Sequence, residues 1–176
     1  MYCIPMLHAR IGDNVYIHGS TASRTLRALA AGADACLTVT IVDALVLARS
    51  AFEHSANYDS AMVFGQFAAV AGTDERLAAL EAFTEKLLPG RWSEVRQPSA
   101  QELKATTILA LPITEASAKQ RSGPPDDDDS PDAALETWAG VVPLVTSFGS
   151  PVASPGLRPG IPLSPTLHRL LASGDR

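Results

Sequence analysis

Short runs of β-forming residues, separated by turn residues, fill the chain from Tyr2 to Val145. This punctuation constrains the fold more than any other feature. Ala35–Val42 (ACLTVTIV) is rich in β-branched residues and reads as a mostly buried strand. Residues 2–10, 15–18, 44–52, 60–70, 106–113 and 138–145 read as further strands, with a break at Asp43 and a bulge or close backbone approach at Gly65. Gly12-Asp13-Asn14 between two such runs is a hairpin signal. Two stretches carry a clear helical signal. Arg24–Ala31 follows small hydroxyl residues that cap helices and stops at Gly32. Thr73–Leu88 has acidic residues at its start, an apolar stripe of Leu77, Leu80, Phe83, Leu87 and Leu88, and a Pro89-Gly90 stop. Residues 99–104 add one further helical turn at most. At least six strands with two interposed helices predict an antiparallel barrel or sandwich, and the strand–helix alternation of a parallel doubly wound sheet is absent. So are the GxGxxG and GxxxxGK[ST] phosphate loops.

The chain has 176 residues, about one domain, of which 46% are hydrophobic and 19% charged, too apolar for a disordered chain. A net charge of −5 without a Lys/Arg cluster argues against nucleic acid and anionic membranes as partners. The longest uncharged piece of the most apolar stretch is Ala35–Val42, far short of the ~20 residues a spanning helix needs. Cys3 and Cys36 form neither a disulfide framework nor a CxxC motif, which makes a reducing cytoplasm the expected location. Nine of the 13 prolines fall between Pro124 and Pro165, so residues 1–146 are expected to form the domain and 147–176 a Pro-rich tail.

His18-Gly19-Ser20-Thr21-Ala22-Ser23-Arg24 is the most informative chemical feature. Hydroxyls and backbone N–H groups at a helix start, with an Arg in the first turn, suit a phosphate; a plain Ser cap with a surface Arg is the competing account. His8, His18 and His54 could converge on a metal or an axial haem, since His8 and His18 have like parity on a hairpin, but no HxxxH or HExxH spacing supports this and no metal is expected. The polar stretch Ser50–Ser60 reads equally well as a pocket mouth and as a solvated loop. Lys119 and Arg121 form a basic spot before the acidic run Asp126–Asp129, which reads as a solvated loop.

Four stretches, HGSTASRTLRALAAG at 18–32, CLTVTIVDALVLARSAFEHSANYDSAMVFG at 36–65, LPGRWSEVRQPSAQELKATTILALPITEASAKQRSGPPDDD at 88–128 and WAGVVPL at 138–144, resemble the pyridoxamine 5'-phosphate oxidase-related split-barrel flavin-binding family, in particular its flavin-nucleotide-binding branch. The resemblance implies a mainly β fold with helices, a six-stranded antiparallel split barrel. It also implies a homodimer with FMN at the interface, a small-molecule substrate and flavin-dependent oxidoreduction. Ser23 and Arg24 match the phosphate turn, His18, Gly19 and Ser20 the positions before it, and Ser60 a neighbouring cofactor-contacting strand. His54, Ser55, Tyr58, Lys119 and Arg121 are implied to face ring or substrate. Thr25 stands where the oxidases carry Lys, and their Arg-rich first segment is not reproduced in Tyr2–Leu7, which disfavours pyridoxamine phosphate as substrate. Relatives carry a helix and first strand ahead of the position of Met1, so an incomplete barrel is expected. A flavin carrier or sensor and a haem-binding split barrel are the alternative functions.

Overall fold

The computed structural model describes residues 3–173. Among them the chain forms eight strands and four α-helices. In order these are β1 (His8–Ile11), β2 (Asn14–Ser20), α1 (Arg24–Ala30), β3 (Asp34–Leu47), β4 (Ser55–Gln66), β5 (Ala68–Ala69), α2 (Thr73–Leu87), α3 (Ala100–Ala105), β6 (Thr106–Pro112), β7 (Glu115–Arg121), β8 (Gly140–Pro143) and α4 (Pro165–Ser173). The architecture is mainly β with helices, as expected, in two antiparallel sheets ordered β1-β2-β6-β5 and β7-β4-β3-β8. The residues gather into two compact units, one made of the chain up to Ala35, Phe64–Thr114 and the segment from Ser147, the other of Cys36–Val63 and Glu115–Thr146.

In the first unit α2 packs on the first sheet. Its core is Ala9, Tyr16, Val70, Ala79, Phe83 and Ile108, with Leu80, Ala82 and Ala110 around them. The stripe expected on α2 is rotated: Ala79 and Phe83 are the buried residues, whereas Leu87 is 64% exposed. The small side chain of Ala79 is what lets the helix approach the sheet. Two polar links tie α2 down. Tyr16 donates its hydroxyl to Glu75 Oε1 at 2.8 Å, and Arg76 donates to the carbonyls of Val70, Leu103 and Thr106 at 3.2, 2.6 and 2.8 Å. α1 stops as expected at Gly32 (φ +88°), with the Ala33 N–H bonded back to the Ala28 carbonyl.

In the second unit β3 runs unbroken through Asp43. That carboxylate is exposed and its carbonyl accepts the Leu144 N–H at 2.8 Å, so a charge there does not end the strand. β3 pairs antiparallel with β8, Leu45 opposite Val142, and buries Ala44 and Val46. β4 begins at Ser55, so most of the polar stretch 50–60 is strand rather than loop. β7 was not expected from sequence, and the expected strand 138–145 shrinks to Gly140–Pro143. The acidic run is not wholly solvated: Asp127 is 1% exposed and accepts the Arg49 backbone N–H at 2.6 Å and its guanidinium at 2.8 Å.

Residues 144–164 carry no helix or strand, and α4 then returns to the first unit. No helix among the described residues is long and apolar enough to cross a membrane.

Candidate functional site

The turn between β2 and α1 is set by its own hydrogen bonds. The Thr21 N–H donates to the Ala105 carbonyl at 3.2 Å, Ala22 to Ser20 Oγ at 3.1 Å, and Ser23 to the Ser20 carbonyl at 2.9 Å. Ser23 caps α1, its Oγ accepting the Leu26 N–H at 3.4 Å. The N–H groups of residues 21–23 are therefore spent within the protein, contrary to the expected cradle of free amides. The hydroxyls of Ser20 and Ser23 accept from the Ala22 and Leu26 N–H groups and keep a proton each to donate, and Arg24 is the first residue of α1. Gly19 has a packing reason: a Cβ there would lie 2.9 Å from Cδ1 of the buried Leu26.

One residue pair before the turn, His18 opens onto a hollow of about 520 Å³ in the first unit. Its walls are mostly apolar, from Leu7, Leu80, Phe83, Leu87, Trp92 and Val95, with Arg96 and Glu102 among the polar residues. The His18 ring packs on Phe83, centroids 4.3 Å apart, and its buried Nδ1 has no hydrogen-bond partner. A buried polar atom left unpaired calls for an explanation, and a bound group is one. Burial pushes the imidazole below its ordinary range, which keeps it neutral, the form that ligates metals. Size and lining match small-molecule and cofactor sites.

Around this hollow lie charged groups that sequence reasoning missed. Glu102 accepts from the Arg96 guanidinium through both oxygens and from the Ser99 N–H, Arg96 first, which holds its carboxyl far below the usual range. Lys86 donates to His8 Nε2 at 2.6 Å; burial, then this ammonium, pushes His8 down. His8 lies opposite Ile17, so His8 and His18 sit on opposite faces of the hairpin and do not have like parity. His54 is in the second unit, where its Nδ1 bonds the Ser50 carbonyl at 2.8 Å. The three imidazoles are thus held by separate local contacts, and among the described residues no group of three or more His, Cys, Asp or Glu could hold a metal ion.

The remaining expected site residues belong to the second unit. Ser55, Tyr58 and Ser60 lie on β4; Ser60 shares a 2.9 Å hydroxyl bond with Thr40, and Lys119 of β7 lies 5.8 Å from the Tyr58 ring centroid. Arg121 donates to Asn57 Oδ1 at 2.6 Å and to the Pro124 carbonyl at 3.2 Å, contacts that anchor the end of β7.

The sequence profile described as pyridoxamine 5'-phosphate oxidase matches residues 1–120. The chain belongs to this family. Among solved members, the chain is similar to the FAD and heme binding protein from Mycobacterium smegmatis, at 45% identity over 95% of this chain and 82% of that one, with a TM-score of 0.88. It is also similar to the flavocytochrome Anf3 from Azotobacter vinelandii, at 37% identity over 96% of this chain and 78% of that one, with a TM-score of 0.86. A putative 5-nitroimidazole antibiotic resistance protein from Bacteroides thetaiotaomicron shares the fold at 17% identity, over 66% of this chain and 67% of that one, with a TM-score of 0.55. No curated protein matches the chain. Membership confirms the split-barrel fold family expected from sequence.

Proposed function

We propose that this protein binds a flavin nucleotide and acts as a flavin-dependent oxidoreductase on a small molecule. The observation that carries the reading is the β2–α1 turn, where two serine hydroxyls with protons to donate stand beside Arg24. Ser20 and Ser23 would hydrogen-bond a phosphate oxygen and Arg24 would neutralise its charge; these groups bind and orient, while the isoalloxazine, when bound, supplies the redox chemistry. The named relative that is 45% identical binds FAD, which favours FAD over the FMN that the family resemblance implies; both present the phosphate this turn suits. A second copy of the chain completes the assembly, and two exposed free thiols, Cys3 and Cys36, suit the cytoplasm.

A second cofactor is favoured by the His18 hollow. A neutral imidazole with an unpaired nitrogen on an apolar wall fits a haem, and both of the more similar solved relatives carry haem or cytochrome in their names. His18 would hold the haem iron through its imidazole, with Leu80, Phe83 and Trp92 excluding water from it.

The visible spectrum of the purified protein tests both. Flavin bands with a Soret band on haemin addition are expected, and chromatography of the released flavin separates FAD from FMN. Arg24→Ala should weaken flavin binding by about 1.5–3 kcal/mol, ~10- to 150-fold, read by fluorescence quenching. Unchanged flavin affinity in that variant would overturn the phosphate assignment.

A further inference from the structure

One wall of the His18 hollow is unlike the others. Leu80 and Phe83 stand on α2 and His18 on β2, but Trp92, Val95, Arg96 and Pro98 belong to a connection whose one regular piece is a single 3-10 turn at Trp92–Glu94. Such a segment has little packing of its own to hold it. Two carboxylates hold it instead. On the α2 side, Glu85 accepts the Gly90 and Trp92 N–H groups at 2.6 and 2.8 Å. On the other side stands the C-terminal helix. Glu94 accepts from the Thr166 N–H at 3.0 Å and from the Thr166 hydroxyl, and Arg91 donates to Glu94 Oε2 and to Ser164 Oγ, both at 3.1 Å.

The fit at this junction is close. Thr166 is 3% exposed, and a Cβ on Gly90, itself at φ +88°, would stand 2.8 Å from Thr166 Cγ2 and 3.2 Å from the Arg169 guanidinium. Glu94 also supplies α4 with a cap from outside its own chain segment, since it takes the N–H of a first-turn residue. The bond network therefore runs from α4 through Glu94 and Arg91 to the backbone that presents Trp92 and Val95 to the hollow.

We infer that α4, through the Thr166–Glu94 contact, positions the Trp92–Pro98 wall of the His18 hollow and so sets the affinity for the ligand bound there. Glu94 and Thr166 are positioning residues: neither lines the hollow. The identity of that ligand as haem rests on the reading above; the positioning of the wall does not.

The test uses the full chain with Trp138→Phe as background, so that Trp92 is the sole indole. Glu94→Gln and the near-isosteric Thr166→Val are each measured for haemin affinity by Soret titration, for Trp92 emission, and for flavin affinity. The expected result is about tenfold weaker haemin binding, the size of one lost charge-assisted hydrogen bond, with a red-shifted Trp92 emission and unchanged flavin affinity. A Trp92 emission that stays put in both folded variants overturns the inference, as does an unchanged haemin affinity where the background protein binds haemin. Should the background protein show no Soret band, the haem reading fails by itself, and the Trp92 emission still decides the role of α4.

Discussion

At the scale of single residues, the acidic run shows what spacing cannot reveal. Asp126 to Asp129 are chemically identical neighbours, yet Asp127 alone of the four is buried, because it meets Arg49, 78 positions earlier. Asp128 reaches the same guanidinium at 2.8 Å from an exposed position. Asp127→Ala would leave the Arg49 N–H and its half-buried guanidinium without their inner partner. The loss is that of a part-buried N–H left without its acceptor, on the order of 1–3 kcal/mol, since the guanidinium keeps Asp128 and stays in reach of water. Asp128→Ala, on the exposed side, should cost under about 1 kcal/mol. Chemical denaturation of the two variants measures this difference directly, and equal losses would refute the inner role of Asp127. The turn at His18–Arg24 was legible by contrast, since its hydroxyls, Gly and Arg act within seven residues. What the sequence concealed there was the partner of the Thr21 amide, the Ala105 carbonyl arriving from α3; the Ala22 and Ser23 amides are spent on Ser20 within the turn itself.

At the scale of elements, legibility followed local pattern. The β2–β6 pairing joins two apolar, β-branched runs, and both were visible. β7 (EASAKQR) has no apolar alternation and forms because it extends the edge beside β4. α4 lies in the stretch expected as a Pro-rich tail, although Ser164-Pro165 is a local start signal: the Ser164 hydroxyl accepts the Leu167 N–H at 3.4 Å, and Glu94, distant in sequence, takes the Thr166 N–H. That dependence has a pH signature. The Thr166 hydroxyl above all, then Ser164, the Thr166 amide and Arg91, pull Glu94 down from 4.5 to about 2. A depressed acid contributes its stabilisation above its unfolded value and loses it as pH falls through the folded one. The docking of α4 is therefore expected to be constant from neutrality down to about pH 4.5 and to weaken between there and about pH 2. Followed by Trp92 emission, the gap between wild type and Glu94→Gln should close over that interval. A gap as wide at pH 2 as at pH 6 would show that the Glu94 charge is not what holds the helix.

At the scale of the molecule, the second sheet poses a problem that one chain does not solve. Along β3 the residues that alternate with buried Ala44 and Val46 include Ile41 and Leu45, which are 60% and 44% exposed. Leu45 faces Val142 on β8, also exposed, so the apolar side chains adjoin across the two strands. Beyond β8, Leu144 and Val145 are exposed too. Asp43 stands between Ile41 and Leu45, so the face is apolar around one carboxylate; an exposed apolar face suits an interaction site, and one self-complementary surface is what a two-fold dimer requires. The homodimer proposed above would bury this face against its copy. Leu45→Asp replaces an apolar side chain of this face with a second carboxylate beside Asp43, so each copy must desolvate a further unpaired charge to associate. Wild-type protein is expected to run as a dimer in light scattering coupled to gel filtration, and Leu45→Asp as a monomer with its secondary structure intact by circular dichroism. Thr38→Asp, exposed farther along the same strand and outside the apolar patch, should leave the dimer in place. A dimer that survives Leu45→Asp unchanged would move the interface elsewhere, and the exposed face of β3 and β8 would need a different occupant.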